Sequence, residues 1–83
     1  MDTIVSTLVS MIYCWEFNYY DKSEDEWLEC TYYTRGDNRQ IAVDTFLEDE
    51  PGVGNNWSCN LDETVTEESF LKVYPTDLIL NDG

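Results

Sequence analysis

The chain contains no histidine and only four basic side chains among its 83 residues. Without histidine, the commonest general base is missing, and no histidine-based nucleophile arrangement can be assembled. The cysteines Cys14, Cys30 and Cys59 are three in number and widely spaced. Their odd count and the lack of any C-x-x-C pair argue against a disulfide framework and against a structural zinc site. Buried reduced thiols, as in a cytoplasmic protein, are the expectation. No apolar run reaches the length of a membrane span; Thr3 to Met11 is too short and has no basic leader. Met11 is a second candidate start site. Gly52-Val53-Gly54 lacks the lysine and helix context of a phosphate loop and reads as a turn. Asn56-Trp57-Ser58 has the form of a glycosylation acceptor, but no other feature points to secretion.

What the chain has in excess is negative charge. Eighteen acidic residues stand against four basic ones, for a formal charge of −14. Small domains rarely bury carboxylates, so these residues are expected at the surface. The resulting field opposes compaction by self-repulsion. Solubility alone calls for a net charge of about 2–8 in a small domain. The excess favours a strongly basic partner and disfavours nucleic acid and anionic membranes as direct partners. Two such surfaces repel one another, so a monomer is expected.

The chain is nevertheless a folding sequence. Three tryptophans, six tyrosines and three phenylalanines accompany an apolar fraction of 42%, a content that disordered acidic segments lack. The length suits one domain spanning residues 1–83, with residues 1–10 a short helix or loose arm. Period-two alternation predicts a strand from Ile12 to Tyr20 and another from Trp27 to Thr34. The polar stretch 21–26 joins them as an acidic hairpin tip. Asp37 or Asn38 would cap a helix running to about Glu48, with Asp37 and Gln40 a loose capping box. Its apolar face is Ile41, Ala42, Val43, Phe46 and Leu47, with Asp44 and Glu48 on the solvated side. After a turn-rich loop at 51–56, Trp57 to Leu61 alternates as a third strand. Thr64 and Glu67 fit a capping box for a short helix carrying Phe70 and Leu71, although Val73-Tyr74 could instead be extended. Leu78 to Leu80 would be a last edge strand. The expected fold is α+β: a small antiparallel sheet of three to four strands with one main amphipathic helix packed on it. Trp15, Trp57, Phe46 and Phe70 are the expected core rings.

Asp21, Ser23 and Asp25 have the 1-3-5 spacing of a calcium loop. Glu26 then stands where glycine should turn the loop, and Tyr32 where a bidentate glutamate is required. No metal and no cofactor is therefore expected. Paired carboxylates such as Asp25 and Glu29 could serve as acid and base, but so many carboxylates form pairs by chance, and an enzyme is not expected.

The acidic residues fall into three groups along the chain. Asp21, Glu24, Asp25 and Glu26, with Glu29, make the hairpin tip. Asp44, Glu48, Asp49 and Glu50 gather toward the helix end, where the macrodipole disfavours anions. Asp62, Glu63, Glu67 and Glu68 form the third. A domain this long is roughly 30 Å across, and duplex DNA of that length carries about eighteen phosphates. The protein's charge density is thus comparable with that of nucleic acid.

Small size, a single domain, strong acidity and the absence of a catalytic motif resemble the DNA-mimic inhibitors that bacteriophages make, a class that includes anti-CRISPR proteins, uracil-DNA glycosylase inhibitors and anti-restriction proteins. The resemblance lies in charge and length, and anti-CRISPR proteins are its preferred member. It implies a stoichiometric blocker acting in the host bacterial cytoplasm, seated in the basic channel through which a CRISPR effector or other DNA-processing enzyme receives its DNA. The other reading is an antitoxin- or immunity-type protein that grips a basic partner through aromatic anchors such as Trp27 or Tyr33.

Overall fold

The computed structural model describes residues 10–80. The expected helix or arm at residues 1–10 therefore lies, but for Ser10, outside the described residues. Strand β1 (Met11–Asp21) and strand β2 (Glu26–Arg35) form a long antiparallel hairpin. Each is longer at both ends than alternation alone predicts. The hairpin loop turns at Asp25, which takes the left-handed backbone at φ 54°, a conformation that aspartate tolerates better than most residues. Helix α1 (Arg39–Asp49) follows, then strand β3 (Trp57–Thr66), helix α2 (Glu67–Leu71), a 3-10 turn (Thr76–Leu78) and strand β4 (Ile79–Leu80). The sheet order is β3-β1-β2-β4.

The fold is α+β with a four-stranded sheet and one main helix. The sheet is mixed rather than wholly antiparallel, because β4 runs parallel to β2, with Ile79 beside Tyr33 and Leu80 beside Thr34. The cause is the connection: the chain leaves β3, crosses the sheet through α2, and returns along the far edge of β2.

The first face of the sheet carries Trp15, Phe17, Tyr32 and Cys59, and α1 packs on it. Its core is Trp15, Phe17, Ala42, Val43, Phe46 and Val53. Phe46 is the hub: it stacks on Phe17 at 4.5 Å between centroids and lies 5.4 Å from Tyr19 and 5.5 Å from Trp57. Of the apolar helix face expected from spacing, Ala42, Val43 and Phe46 are buried, while Leu47 turns to solvent. Trp57 is half-buried at the edge of this cluster, whereas Trp15, Phe46 and Phe70 are core. Asn38 holds the N-cap position of α1, but no side chain caps the helix, so the Asp37–Gln40 box does not form. Instead the Asn38 amide donates to the Arg35 carbonyl at 2.6 Å, and Gln40 donates to Asp44 at 2.8 Å.

The second face has a smaller core of Ile12, Phe70 and Ile79, bordered by Tyr33 and Val65. A single β-bulge makes it possible. Cys14 pairs with Glu63 but Trp15 with Leu61, so Asp62 is an extra residue in β3. An inserted residue reverses which side chains face which side. Before the bulge Trp57 and Cys59 face α1; after it Val65 reaches the opposite face beside Ile12. The ladder with β1 runs on to the Met11–Thr66 pair. Thr64 is therefore strand, and the expected Thr64–Glu67 capping box is replaced by Thr66, whose hydroxyl accepts from the Ser69 amide at 3.1 Å. Backbone pairing along β1 outweighs a local helix signal there.

One buried polar relay ties the middle of β1 to the end of β2. The Trp15 indole donates to the Thr34 hydroxyl at 2.9 Å, which donates in turn to the Gly36 carbonyl at 2.8 Å. Thr34 is 1% exposed. Thr34→Val keeps the shape and strands both partners, which costs about 1–3 kcal/mol. Chemical denaturation should show a lower midpoint with an unchanged slope; an unchanged midpoint would mean that water replaces the hydroxyl.

Candidate acidic interface

The three acidic groups of the sequence are rearranged by folding. Glu24, Asp25 and Glu26 are exposed at the hairpin tip, and Glu29 is exposed on the second sheet face. Asp21 and Glu50 line one open pocket of about 230 Å³, together with Tyr19, Tyr20, Lys22 and Ser23. The base of the tip and the end of α1 are thereby brought to the same part of the molecule. Asp44, Glu48 and Asp49 are exposed along α1. The third group separates. Asp62 and Glu63 are strand residues at the bulge, bordering a groove of about 290 Å³ with Cys14, Tyr33, Phe70 and Tyr74. Glu67 and Glu68 open α2.

Five of these candidates are occupied within the protein. Asp21 accepts from the Ser23 hydroxyl at 2.7 Å and from its amide at 2.9 Å, and these donors hold its carboxyl below the ordinary aspartate range. Asp25 accepts from the Tyr20 hydroxyl. Asp44 accepts from Gln40. Asp49 accepts from the Tyr32 hydroxyl at 2.6 Å; burial and this bond together push the phenol far up. Glu67 receives Arg35 in a two-pronged pair at 3.0 Å, which holds its carboxyl low. These carboxylates shape the protein. Glu24, Glu26, Glu29, Glu48, Glu50, Asp62, Glu63 and Glu68 are the candidates left to face a partner.

Glu16 is an acidic residue that charge grouping left out. It lies on the second face of the central strand, opposite Thr31 of β2 and Asn60 of β3. The signal was present in the alternation of β1, where it sits between Cys14 and Asn18. Trp27, an expected anchor of the second reading, is 63% exposed. Tyr33, the other expected anchor, is instead packed against Phe70 at 4.9 Å and Tyr74 at 5.7 Å.

All three thiols are free. Cys30 and Cys59 flank Phe17 from opposite sides, one on each neighbouring strand. Two strand spacings separate them, about 10 Å, too far for a disulfide. Cys14 points to the other face. Burial raises all three thiol pKa values, with Glu63 and Asp62 adding to the effect at Cys14. Among the described residues, no group of three or more histidine, cysteine or acidic side chains is set to hold a metal ion. None of the described helices is long and apolar enough to cross a membrane.

No protein-family model, curated protein or solved structure matches this chain.

Proposed function

We propose that this protein is a stoichiometric inhibitor that mimics the charge of DNA and occupies the basic nucleic-acid channel of a CRISPR surveillance complex or another DNA-processing enzyme. It acts in the cytoplasm of a bacterial host, as a monomer, without cofactor and without catalysis. The observation that carries this reading is the display of exposed carboxylates on a folded four-stranded scaffold. Eight candidate acids make no side-chain hydrogen bond or ion pair among the described residues, and they extend from the hairpin tip and the end of α1 to the bulge of β3 and the start of α2. The cost of holding them in one small fold is self-repulsion, and a cationic channel is the environment that offsets it. Lysine and arginine in such a channel answer to charge, and carboxylates satisfy them as phosphates do.

Competition tests the reading. Candidate enzymes, CRISPR effectors first, are loaded with labelled duplex DNA and titrated with the protein at several salt concentrations. Displacement of DNA at one equivalent is expected, with an affinity that falls steeply between about 50 and 500 mM salt as screening grows. Binding that leaves DNA in place, or that ignores salt, overturns the proposal.

The antitoxin-type reading keeps one specific support, the exposed ring of Trp27. On that reading Trp27→Ala removes most of the affinity and salt changes it little.

A further inference from the structure

The two helices cover the sheet unequally. Helix α1 lies along the first face, whereas the five-residue α2 covers only the Ile12–Tyr33 end of the second. Among the described residues, nothing packs over the remainder of the second face. Strand pairing lays out its rows: Tyr20 beside Trp27; Ser58, Asn18 and Glu29; Asn60, Glu16 and Thr31. Trp27, Glu29, Thr31, Ser58 and Asn60 are all exposed.

Glutamate is depleted in strands, yet Glu16 stands at mid-length of β1 on this face. Among the described residues, neither the Glu16 nor the Glu29 side chain makes a hydrogen bond or ion pair. Trp27 and Tyr20 meet in an edge-to-face arrangement, with centroids 5.7 Å apart and rings inclined at 60°, and the Trp27 ring stays accessible. Glu29 follows on the same strand and face, about 6.7 Å away by strand rise. Glu16 and Thr31 stand one step further along.

We propose that this bare sheet face docks arginine side chains of a basic partner, with a guanidinium lying over Trp27 and its edge reaching Glu29. The proposal rests on the inhibitor reading above and names the chemistry that its partner presents. A guanidinium is flat, weakly hydrated and able both to stack on an indole and to meet a carboxylate with two parallel N–H bonds. An ammonium can do neither as well, although its charge is equal. The face therefore discriminates between cations that the rest of the acidic surface treats alike. Aromatic stacking between a strongly charged protein and its partner also persists at salt concentrations that screen the charges.

Peptides of eight arginines and of eight lysines, titrated into the full chain at 0.15 M salt, test this. Octa-arginine should bind at least fivefold more tightly than octa-lysine, and the Trp27 indole N–H resonance should shift while that of Trp15 does not. Trp27→Ala should abolish the preference and leave octa-lysine binding unchanged; Glu29→Gln should weaken octa-arginine binding severalfold. The thermal midpoints of both variants should match the parent, since both side chains are exposed. Equal affinity for the two peptides, a preference that survives Trp27→Ala, or self-association through this face in sedimentation overturns the proposal. The inhibitor reading fails separately: if arginine preference is present but DNA is never displaced from an enzyme, the mimicry falls and the docking face stands. If salt-dependent displacement occurs without arginine preference, the reverse holds.

Discussion

Phe46→Ala should leave the protein largely unfolded at physiological temperature. Phe46 is fully buried and meets Phe17, Tyr19, Tyr32 and Trp57. It is the main point at which α1 grips the sheet. Truncating a buried phenylalanine costs about 3–5 kcal/mol. A domain of this length has roughly 4–12 kcal/mol of stability in all, and here self-repulsion reduces it further. The thermal midpoint should fall by on the order of 20 °C. Leu47→Ala, at the adjacent position but 37% exposed, should move it by only a few degrees. Circular dichroism melts of the pair decide the matter. Similar midpoints for the two variants would show that α1 is not held through this ring.

Reversing charge at the hairpin tip should have the opposite pattern: a large effect on binding and none, or a gain, in stability. The structure selects the residues. Asp25 carries the left-handed turn and the Tyr20 hydrogen bond, and Asp49 anchors Tyr32, so replacing either confuses folding with recognition. Glu24 and Glu26 are exposed and serve neither role. In Glu24→Lys/Glu26→Lys, each substitution lightens the formal charge of −14 by two, which relieves self-repulsion and should raise the thermal midpoint slightly in low salt. On the proposed inhibitor function, binding to the target enzyme should weaken by at least about a hundredfold, which is about 2.8 kcal/mol, because attraction at a cationic channel becomes repulsion. Glu24→Gln/Glu26→Gln should fall between the parent and the reversal. The same reversal at Glu68, at the start of α2, reports whether contact extends to the far end. An unchanged dissociation constant for the Glu24/Glu26 pair would remove the tip from the interface, whatever the net charge of the protein.

Much of this arrangement is legible in the order of residues. Alternation in β1 and β2 marks the hairpin because each strand packs apolar side chains on the first face. The spacing of Ala42, Val43 and Phe46 marks α1 for the same reason. The region from Asp62 to Thr66 is misread because its local signals favour a helix, whereas its hydrogen-bond partners lie about fifty residues away on β1. Val53 escapes notice among turn residues, yet it is buried against the main core. Separating structural from available carboxylates was equally beyond the sequence, since Tyr32 with Asp49 and Arg35 with Glu67 are tertiary pairs.

Composition alone therefore determined that the protein is a small folded domain with an anionic exterior, because rings drive burial and carboxylates resist it whatever the topology. Only the tertiary structure decided which acids are spent inside the protein and which part of the second sheet face no described residue covers. The physical reason is that one inserted residue, Asp62, switches the side on which β3 packs, and no local preference records where a bulge will fall.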